Sequence, residues 1–337
     1  MLILIGRRLA AAIPSVIGVV VVTFVLTRAL PGDPAAYFAG PNADAKAIAE
    51  IRTALGLDRS LAEQFLRYVG DLLRGDLGQS LSTGRPVLVE LASRLPASLE
   101  LTLLGLVISL SIALPLGILA ATRPNSWVDH LCRVIVTLGV SMPTFFTGLV
   151  LVYVFYFLLG WSPAPLGRLD AFFSSPPDVT GLYLVDSLLA RDGETFLAAA
   201  AQLILPAATL AIFTLAPLAR MTRASMLAVL SADFIRTARA SGLSAATVVF
   251  VYAFRNAMLP VVTTLGMVFS FLLGANVLVE KVFAWPGIGS YAIEALIAAD
   301  YAPIQGFVLT MALLYVVLNL TIDLLYGIID PRLEGAA

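Results

Sequence analysis

The chain has 337 residues, of which 59% are hydrophobic and 13% are charged, and its mean hydropathy is +0.94. Soluble domains carry roughly 25% charged residues, so this composition excludes an ordinary soluble domain. A helix of about 20 apolar residues spans a bilayer, and six such runs occur. They cover residues 9–29, 97–121, 134–159, 198–219, 257–279 and 304–328. The sequence therefore predicts an all-α polytopic membrane protein with six transmembrane helices.

The arginines indicate which side of the membrane each connection occupies. Segment 220–256 holds five arginines and a single acid, Asp233. Short segments rich in Lys and Arg stay on the cytoplasmic side, so this segment is expected inside the cell. Counting the spans outward from it places both the N-terminus and the C-terminus in the cytoplasm.

The first span resembles a signal peptide, because Arg7 and Arg8 precede its apolar run. That run extends from Leu9 to Thr27, which is longer than the usual 7–15 residues, and no small-x-small cleavage site follows it. We therefore interpret residues 1–30 as an N-terminal transmembrane helix that is retained.

Residues 31–96 are predicted to form a small external module of helices. One helix ends before Gly56. The next one begins at a capping box, in which Ser60 and Glu63 satisfy free backbone N–H groups, and Gly75 ends it. These helix start and stop signals favour a folded module over an extended loop.

Residues 97–337 are predicted to form a five-helix core. It carries an external loop at 160–197, in which 181–190 reads as a short helix, and a cytoplasmic loop at 220–256. Pro260 is expected at the start of the fifth span, where its missing N–H costs no hydrogen bond.

The cytoplasmic loop is the most informative part of the sequence. Asp233, Arg236 and Arg239 lie three residues apart and share one broad face of a helix. Gly242 is expected to stop that helix in a left-handed conformation, and Ser244 to cap a second helix from residue 245. Two short helices meeting at a glycine would make a compact knob outside the bilayer.

The chain lacks the residues of several kinds of chemistry. It has one cysteine, Cys132, and one histidine, His130, which excludes an intramolecular disulfide and a Cys/His metal cluster. It also lacks a G-x-x-x-x-G-K-[ST] phosphate-binding loop. If ATP drives this protein, another subunit must bind the nucleotide.

Several strings in the sequence occur together in one known family. They are RTARASGL and RNAMLPVVTTLG in the cytoplasmic loop, LPGDP after the first span and FAWPGIG after the fifth. Together they resemble the permeases of ABC importers, specifically the first permease subunit type of the dipeptide/oligopeptide/nickel family. The resemblance runs from Leu30 to Arg332, and only loop 160–197 is unmatched.

The resemblance implies a type I ABC-importer permease fold in a bacterial or archaeal inner membrane. It implies four partners: a second homologous permease, two ATPase subunits (or one fused chain) and an extracytoplasmic solute-binding protein. As a membrane protein the chain is also expected to contact membrane lipid, and no nucleic-acid partner is expected. It further implies that this chain is not an enzyme and binds no cofactor, ATP and Mg²⁺ being held by the partner ATPases. Substrates in the family include di- and oligopeptides, glutathione, nickel complexes, opines and sugars, and the sequence does not distinguish among them.

Within the cytoplasmic loop, the resemblance assigns a set of residues to ATPase coupling. The set is Asp233, Arg236, Thr237, Ala238, Arg239, Gly242 and Leu243.

An ion-coupled secondary transporter is the alternative reading. Such proteins usually place ionisable groups near the middle of the bilayer. Here Arg28, Glu100 and Asp323 lie in or beside spans, all toward span ends. An intramembrane zinc protease would need an H-E-x-x-H motif, which the chain lacks.

Overall fold

A computed structural model describes residues 2–29, 33–40 and 42–329 of the chain. The described residues fold into thirteen α-helices and two π-helical segments, which occupy Val152–Leu158 and Thr247–Phe254. The α-helices are α1 (Leu2–Ala29), α2 (Pro34–Ala39), α3 (Ala45–Ala54), α4 (Leu61–Leu73), α5 (Val87–Thr122), α6 (Trp127–Ser141), α7 (Thr144–Leu151), α8 (Tyr183–Leu189), α9 (Gly193–Leu230), α10 (Asp233–Ala240), α11 (Arg255–Val282), α12 (Ile288–Ile297) and α13 (Tyr301–Ile329). The all-α prediction is confirmed.

Six apolar spans are present when the third is counted as a broken one. Five helical stretches of the described chain are long and apolar enough to cross a membrane: Ala10–Ala29, Val87–Thr122, Gly193–Leu230, Thr247–Val282 and Tyr301–Gly327. The sixth is the α6–α7 pair, which bends by 105°. The sequence predicted one uninterrupted helix over 134–159.

Pro143 explains this break. A proline pushes the residue before it out of the helical region, and Met142 accordingly has φ −120° and ψ 140°. Helix α6 therefore ends at Ser141, and α7 starts afresh after Pro143.

Pro260 was predicted at the start of the fifth span, and this was wrong. Helical structure begins before it, so Pro260 lies inside α11. The prediction placed the boundary where polar residues give way to apolar ones, but the helix continues through the polar residues.

The predicted helices of the external module are confirmed. Ser60 caps α4 by accepting a hydrogen bond from the Glu63 N–H at 3.3 Å. Gly56 and Gly75 follow α3 and α4 with φ of 67° and 76°, the left-handed conformation that stops a helix. The short helix α2, whose N-cap is Asp33, was not predicted from the sequence.

The chain divides into two compact units. The first comprises Met1–Ser98 with Pro286–Val316, and the second comprises Leu99–Trp285 with Val317–Ala337. In the first unit, Val87 and Leu91 of α5 form a buried cluster with Ile288 and Tyr291 of α12. The division into residues 1–30, 31–96 and 97–337 stays a prediction.

In the second unit, α5 and α9 approach each other closely at two glycines. A Cβ atom on Gly105 would lie 2.9 Å from Leu210 Cβ, and one on Gly117 would lie 2.7 Å from Thr222 Cβ. Real Cβ atoms essentially never come so near. Small residues that let helices pack in this way are typical of helix contacts inside membranes.

Loop 160–197 is folded and attached to α5 by Glu100. The carboxylate accepts hydrogen bonds from Arg168 Nη2 at 2.6 Å and from the Leu184 N–H at 2.8 Å. Arg168 also donates to the Gly181 carbonyl oxygen at 2.8 Å, and its guanidinium carbon lies 3.4 Å from the Tyr183 ring centroid. The side chains of the ion pair are only 8% and 6% exposed, and the helix predicted at 181–190 is present as α8.

The orientation of the spans can be tested by thiol labelling. Cys132 is the one cysteine in the sequence, so the Cys132→Ala variant has no thiol of its own. Cys132 is buried, and Ala is small enough to replace it there. A cysteine at exposed Ser241 should be shielded from a membrane-impermeant maleimide in intact cells, whereas one at exposed Ser174 should react. Both should react once the cells are permeabilised. Labelling at Ser241 but not at Ser174 in intact cells would reverse the predicted orientation.

Candidate coupling site

The candidate coupling site is built around α10, which follows α9 after only two residues. Gly242 ends it with φ 77°, and the N–H groups of Gly242 and Leu243 donate to Arg239 O at 3.0 Å and Ala238 O at 3.3 Å. These bonds satisfy carbonyl groups that the end of a helix leaves free. The left-handed stop predicted at Gly242 is confirmed.

The second helix of the knob begins where the sequence predicted. The Ser244 hydroxyl oxygen accepts a hydrogen bond from the Thr247 N–H at 3.2 Å, and helical structure starts at residue 245. The chain then runs through the π-helical segment Thr247–Phe254 into α11 without a break. Helix α10 is therefore joined at both ends to long apolar helices.

One face of α10 is buried against three long apolar helices, α5, α9 and α11. Ile235 is fully buried and Ala238 is 5% exposed. They belong to a hydrophobic cluster whose other buried members are Ile118 and Ala121 of α5, Met226 of α9, Val248 and Ala253 of the π-helical segment, and Ala257 of α11. Helix α10 therefore packs against the ends of α5, α9 and α11 together.

The opposite face of α10 is polar and exposed. The side chains of Asp233 and Arg236 are 94% and 75% exposed, and their ion pair has an N–O distance of 3.2 Å. Because both groups are in solvent, this pair contributes little to stability and either charge can turn to a partner. Thr237 and Arg239 are exposed as well.

Two apolar side chains extend this exposed surface. Leu243 is 38% exposed and Phe234 is 45% exposed. Of the residues assigned to coupling from the sequence, only Ala238 faces inward; Asp233, Arg236, Thr237, Arg239, Gly242 and Leu243 are all exposed. The surface thus combines charged groups with apolar contact area.

Asp129, which the sequence analysis did not select, fixes the turn between α5 and α6 to α9. Its buried carboxylate accepts hydrogen bonds from Arg223 Nε at 2.5 Å and Nη2 at 3.0 Å. It also accepts from Arg133 Nη2 at 2.7 Å and from the Asn125 N–H at 3.0 Å. Four donors at one carboxylate compensate the cost of burying its charge.

Part of this cluster was visible in the sequence. Asp129 and Arg133 are four residues apart, the spacing of an ion pair along a helix. Arg223 lies 94 residues further along the chain than Asp129, and no local pattern connects the two.

Backbone strain alone should make Gly242→Val damaging. A Cβ atom there meets nothing within 4 Å, but a β-branched residue is poorly tolerated at φ 77°. We expect amide hydrogens of 233–243 to exchange about five- to thirtyfold faster in the variant, since the strain is about 1–2 kcal/mol. Exchange in the apolar spans should not change.

Gly242→Asn is the matched control, because Asn adopts left-handed conformations more readily. It should exchange nearly as slowly as the unmodified protein. Equal exchange in the Val and Asn variants would show that the conformation of Gly242 does not hold the end of α10.

The two arginines at Asp129 should differ in their effect on stability. Arg223→Met removes two donors from a buried carboxylate and should lower the melting temperature of the purified protein by about 5 °C. Arg133 is 51% exposed, so Arg133→Met should lower it by less than about 2 °C. Equal shifts in a thermal unfolding assay in detergent would mean that Arg223 does not attach the α5–α6 turn to α9.

Comparison with known proteins places the whole chain in one family. Residues 113–335 match the family model described as the binding-protein-dependent transport system inner membrane component. Residues 1–102 match the model for the N-terminal part of such membrane components.

Individual relatives agree over nearly the full length. The chain is 48% identical to the probable D,D-dipeptide transport system permease protein DdpB of Escherichia coli, over 94% of this chain and 93% of the relative. It is 44% identical to the di/tripeptide transport system permease protein DppB of Pseudomonas aeruginosa, over 99% of both chains. It is also 40% identical to the glutathione transport system permease protein GsiC of Escherichia coli, over 97% of both. The chain therefore belongs to the family of binding-protein-dependent transport system inner membrane components, the membrane-spanning permeases of ABC importers.

Proposed function

We propose that this chain is the permease subunit of an ATP-driven importer of small peptides, and that α10 is the element through which a separate ATPase drives it. The observation that carries the proposal is the two-sided character of α10. Its exposed face offers charge and apolar area to a partner, while Ile235 and Ala238 attach its other face to three long helices.

The proposed mechanism is mechanical. An ATPase that holds the exposed face of α10 and changes shape on binding ATP would displace α10 as a body. The hydrophobic cluster passes that displacement to the ends of α5, α9 and α11. The ion cluster at Asp129 extends it to α6, because Arg223 attaches the α5–α6 turn to α9.

The nucleotide is assigned to partner subunits, because this chain carries no phosphate-binding loop of its own. We infer an assembly of this chain with a second homologous permease, two ATPase subunits and an extracytoplasmic binding protein. Catalysis and its cofactors, ATP and Mg²⁺, then belong to the ATPases. In this assembly α10 lies in the cytoplasm, and 31–96 and 160–197 lie outside.

Peptides are the proposed substrates, because the names of three relatives share that chemistry. They specify D,D-dipeptides, di- and tripeptides, and glutathione, itself a tripeptide. A soluble binding protein that delivers the substrate would set the choice among peptides.

An ion-coupled transporter is the second candidate, and the environment of Glu100 argues against it. A proton-carrying carboxylate needs an ionised form and a protonated form that are both accessible. Both carboxylate oxygens of Glu100 accept hydrogen bonds, one from Arg168 and one from the Leu184 N–H. With both oxygens engaged by the loop, the carboxylate serves as a structural attachment.

Charge reversal on α10 tests the proposed coupling role. The double variant Arg236→Glu, Arg239→Glu should lose about thirtyfold in ATP-dependent uptake, since each reversal costs about 1 kcal/mol in lost attraction and added repulsion. Uptake of a radiolabelled dipeptide is measured in vesicles containing the complete complex and its binding protein. Retention of the ATPase subunits during purification should fall in parallel.

The matched control is Lys46→Glu, Arg74→Glu, which makes the same change in net charge at exposed positions of the external module. It should transport at the unmodified rate. Unchanged uptake by the α10 variant would exclude this face as the coupling surface. Uptake that an uncoupler abolishes at constant ATP would favour the ion-coupled transporter.

A further inference from the structure

The first unit contains an apolar groove beside α1. The groove has a volume of about 540 Å³ and is lined by α1, α12 and α13. Its α1 residues run from Ser15 to Thr27, a rise of about 18 Å. That length exceeds half of the roughly 30 Å hydrocarbon core, so the groove is about one membrane leaflet deep.

The side chains that line the groove are mostly apolar. Val22 and Leu26 line it and are 54% and 59% exposed. The hydroxyl of Thr27 donates to the carbonyl oxygens of Thr23 and Phe24, at 3.0 and 2.9 Å, so it offers no free donor. An apolar chain fits this lining.

A polar cleft adjoins the groove at the end of α1. It has a volume of about 580 Å³ and includes Arg28, next to Thr27 of the groove, and Gln305, next to Ile304 of the groove. Both cavities belong to the first unit, and they meet at two pairs of consecutive residues, Thr27–Arg28 and Ile304–Gln305.

The guanidinium group of Arg28 is held in place but has no carboxylate partner among the described residues. Its carbon lies 4.6 Å from the Phe24 ring centroid and 4.8 Å from that of Tyr301. Nε donates to Gln64 Oε1 at 3.1 Å and Nη1 to Thr27 Oγ1 at 3.3 Å, whereas Nη2 makes no hydrogen bond to another described residue. A planar guanidinium fixed in this way is suited to phosphate.

Two further arginines and a tyrosine hydroxyl in the cleft are donors that could bind phosphate. Arg59 and Arg67 also line it, and neither has a carboxylate partner in the described part of the chain. Burial raises the pKa of Tyr68 to about 12, although Arg28 acts to lower it, so its hydroxyl remains a neutral donor. Three acids also line the cleft, and each has a partner: Asp71, Asp76 and Asp300. Asp71 lies 3.9 Å from Arg74 Nη1, Asp76 accepts a hydrogen bond from the Gly78 N–H at 2.8 Å, and the buried Asp300 accepts from Ser80 and Ser82 through Oδ2.

We propose that this paired groove and cleft bind an anionic phospholipid, with an acyl chain along α1 and the phosphate at Arg28. A lipid is the occupant that has both parts in this order, because its headgroup lies at the membrane surface where α1 ends. The proposal rests on the membrane location of the family and on these contacts, and does not require the peptide substrate or the role of α10.

The test uses the complete transporter, purified in detergent, and a phosphatidylglycerol probe with a photoreactive group in its acyl chain. Cross-linked peptides are mapped by mass spectrometry and the yield on 9–28 is compared between variants. A matched phosphatidylcholine probe reports the contribution of headgroup charge. Phosphatidylglycerol should label this stretch about fivefold more strongly, the effect of one arginine near a membrane surface.

Two variants test the groove and the cleft independently. Gly18 lies in the groove and a Cβ atom there meets nothing within 4 Å, so Gly18→Phe should fill the groove without disturbing its walls and abolish labelling by both probes. Arg28→Gln should lower phosphatidylglycerol labelling about fivefold, to the level of phosphatidylcholine.

The controls are Gly6→Phe, an equally open glycine at the other end of α1, and Arg74→Gln, an exposed arginine outside the cleft. Both should label like the unmodified protein. Equal labelling by the two lipids, or labelling that survives Gly18→Phe, would overturn the proposal. So would competition by soluble glycerol phosphate as strong as by the lipid, which would indicate a free phosphate site.

Discussion

The contact of Ile235 and Ala238 with the ends of α5, α9 and α11 is the constraint on which the region around α10 depends. Helix α10 has only eight residues, far too few to be stable alone in water. It exists because its apolar face is buried and because Gly242 and Ser244 fix the turn that follows it. The exposed face is therefore carried by an element that is packed against the spans, and not by a free loop.

The buried carboxylate of Asp129 adds a second attachment by different physics. The hydrophobic cluster tolerates small rotations, because apolar contacts have no preferred direction. The hydrogen bonds from Arg223 are directional and fix the α5–α6 turn in one position on α9. Helix α6 is therefore attached at this turn, while its other end is separated from α7 by the break at Pro143.

Sequence reasoning succeeded where the cause of a structure lies within a few residues. The stop at Gly242 and the cap at Ser244 depend on neighbours three or four positions away, and both were predicted. Counting apolar residues found the spans but not the break before Pro143 or the helix that continues through Pro260. The attachment of loop 160–197 through Arg168 and Glu100 depends on residues far apart in sequence, which no pattern along the chain could pair.

The close packing of Gly105 and Gly117 on α9 limits how this protein can change shape. The same sequence interval separates these glycines as separates their partners, Leu210 and Thr222, so the two helices touch at matched positions along their lengths. Sliding one helix past the other would bring side chains into a space that only a hydrogen atom occupies. We therefore expect α5 and α9 to move together as one rigid pair. A change of shape that opens a transport path would then separate other pairs of helices.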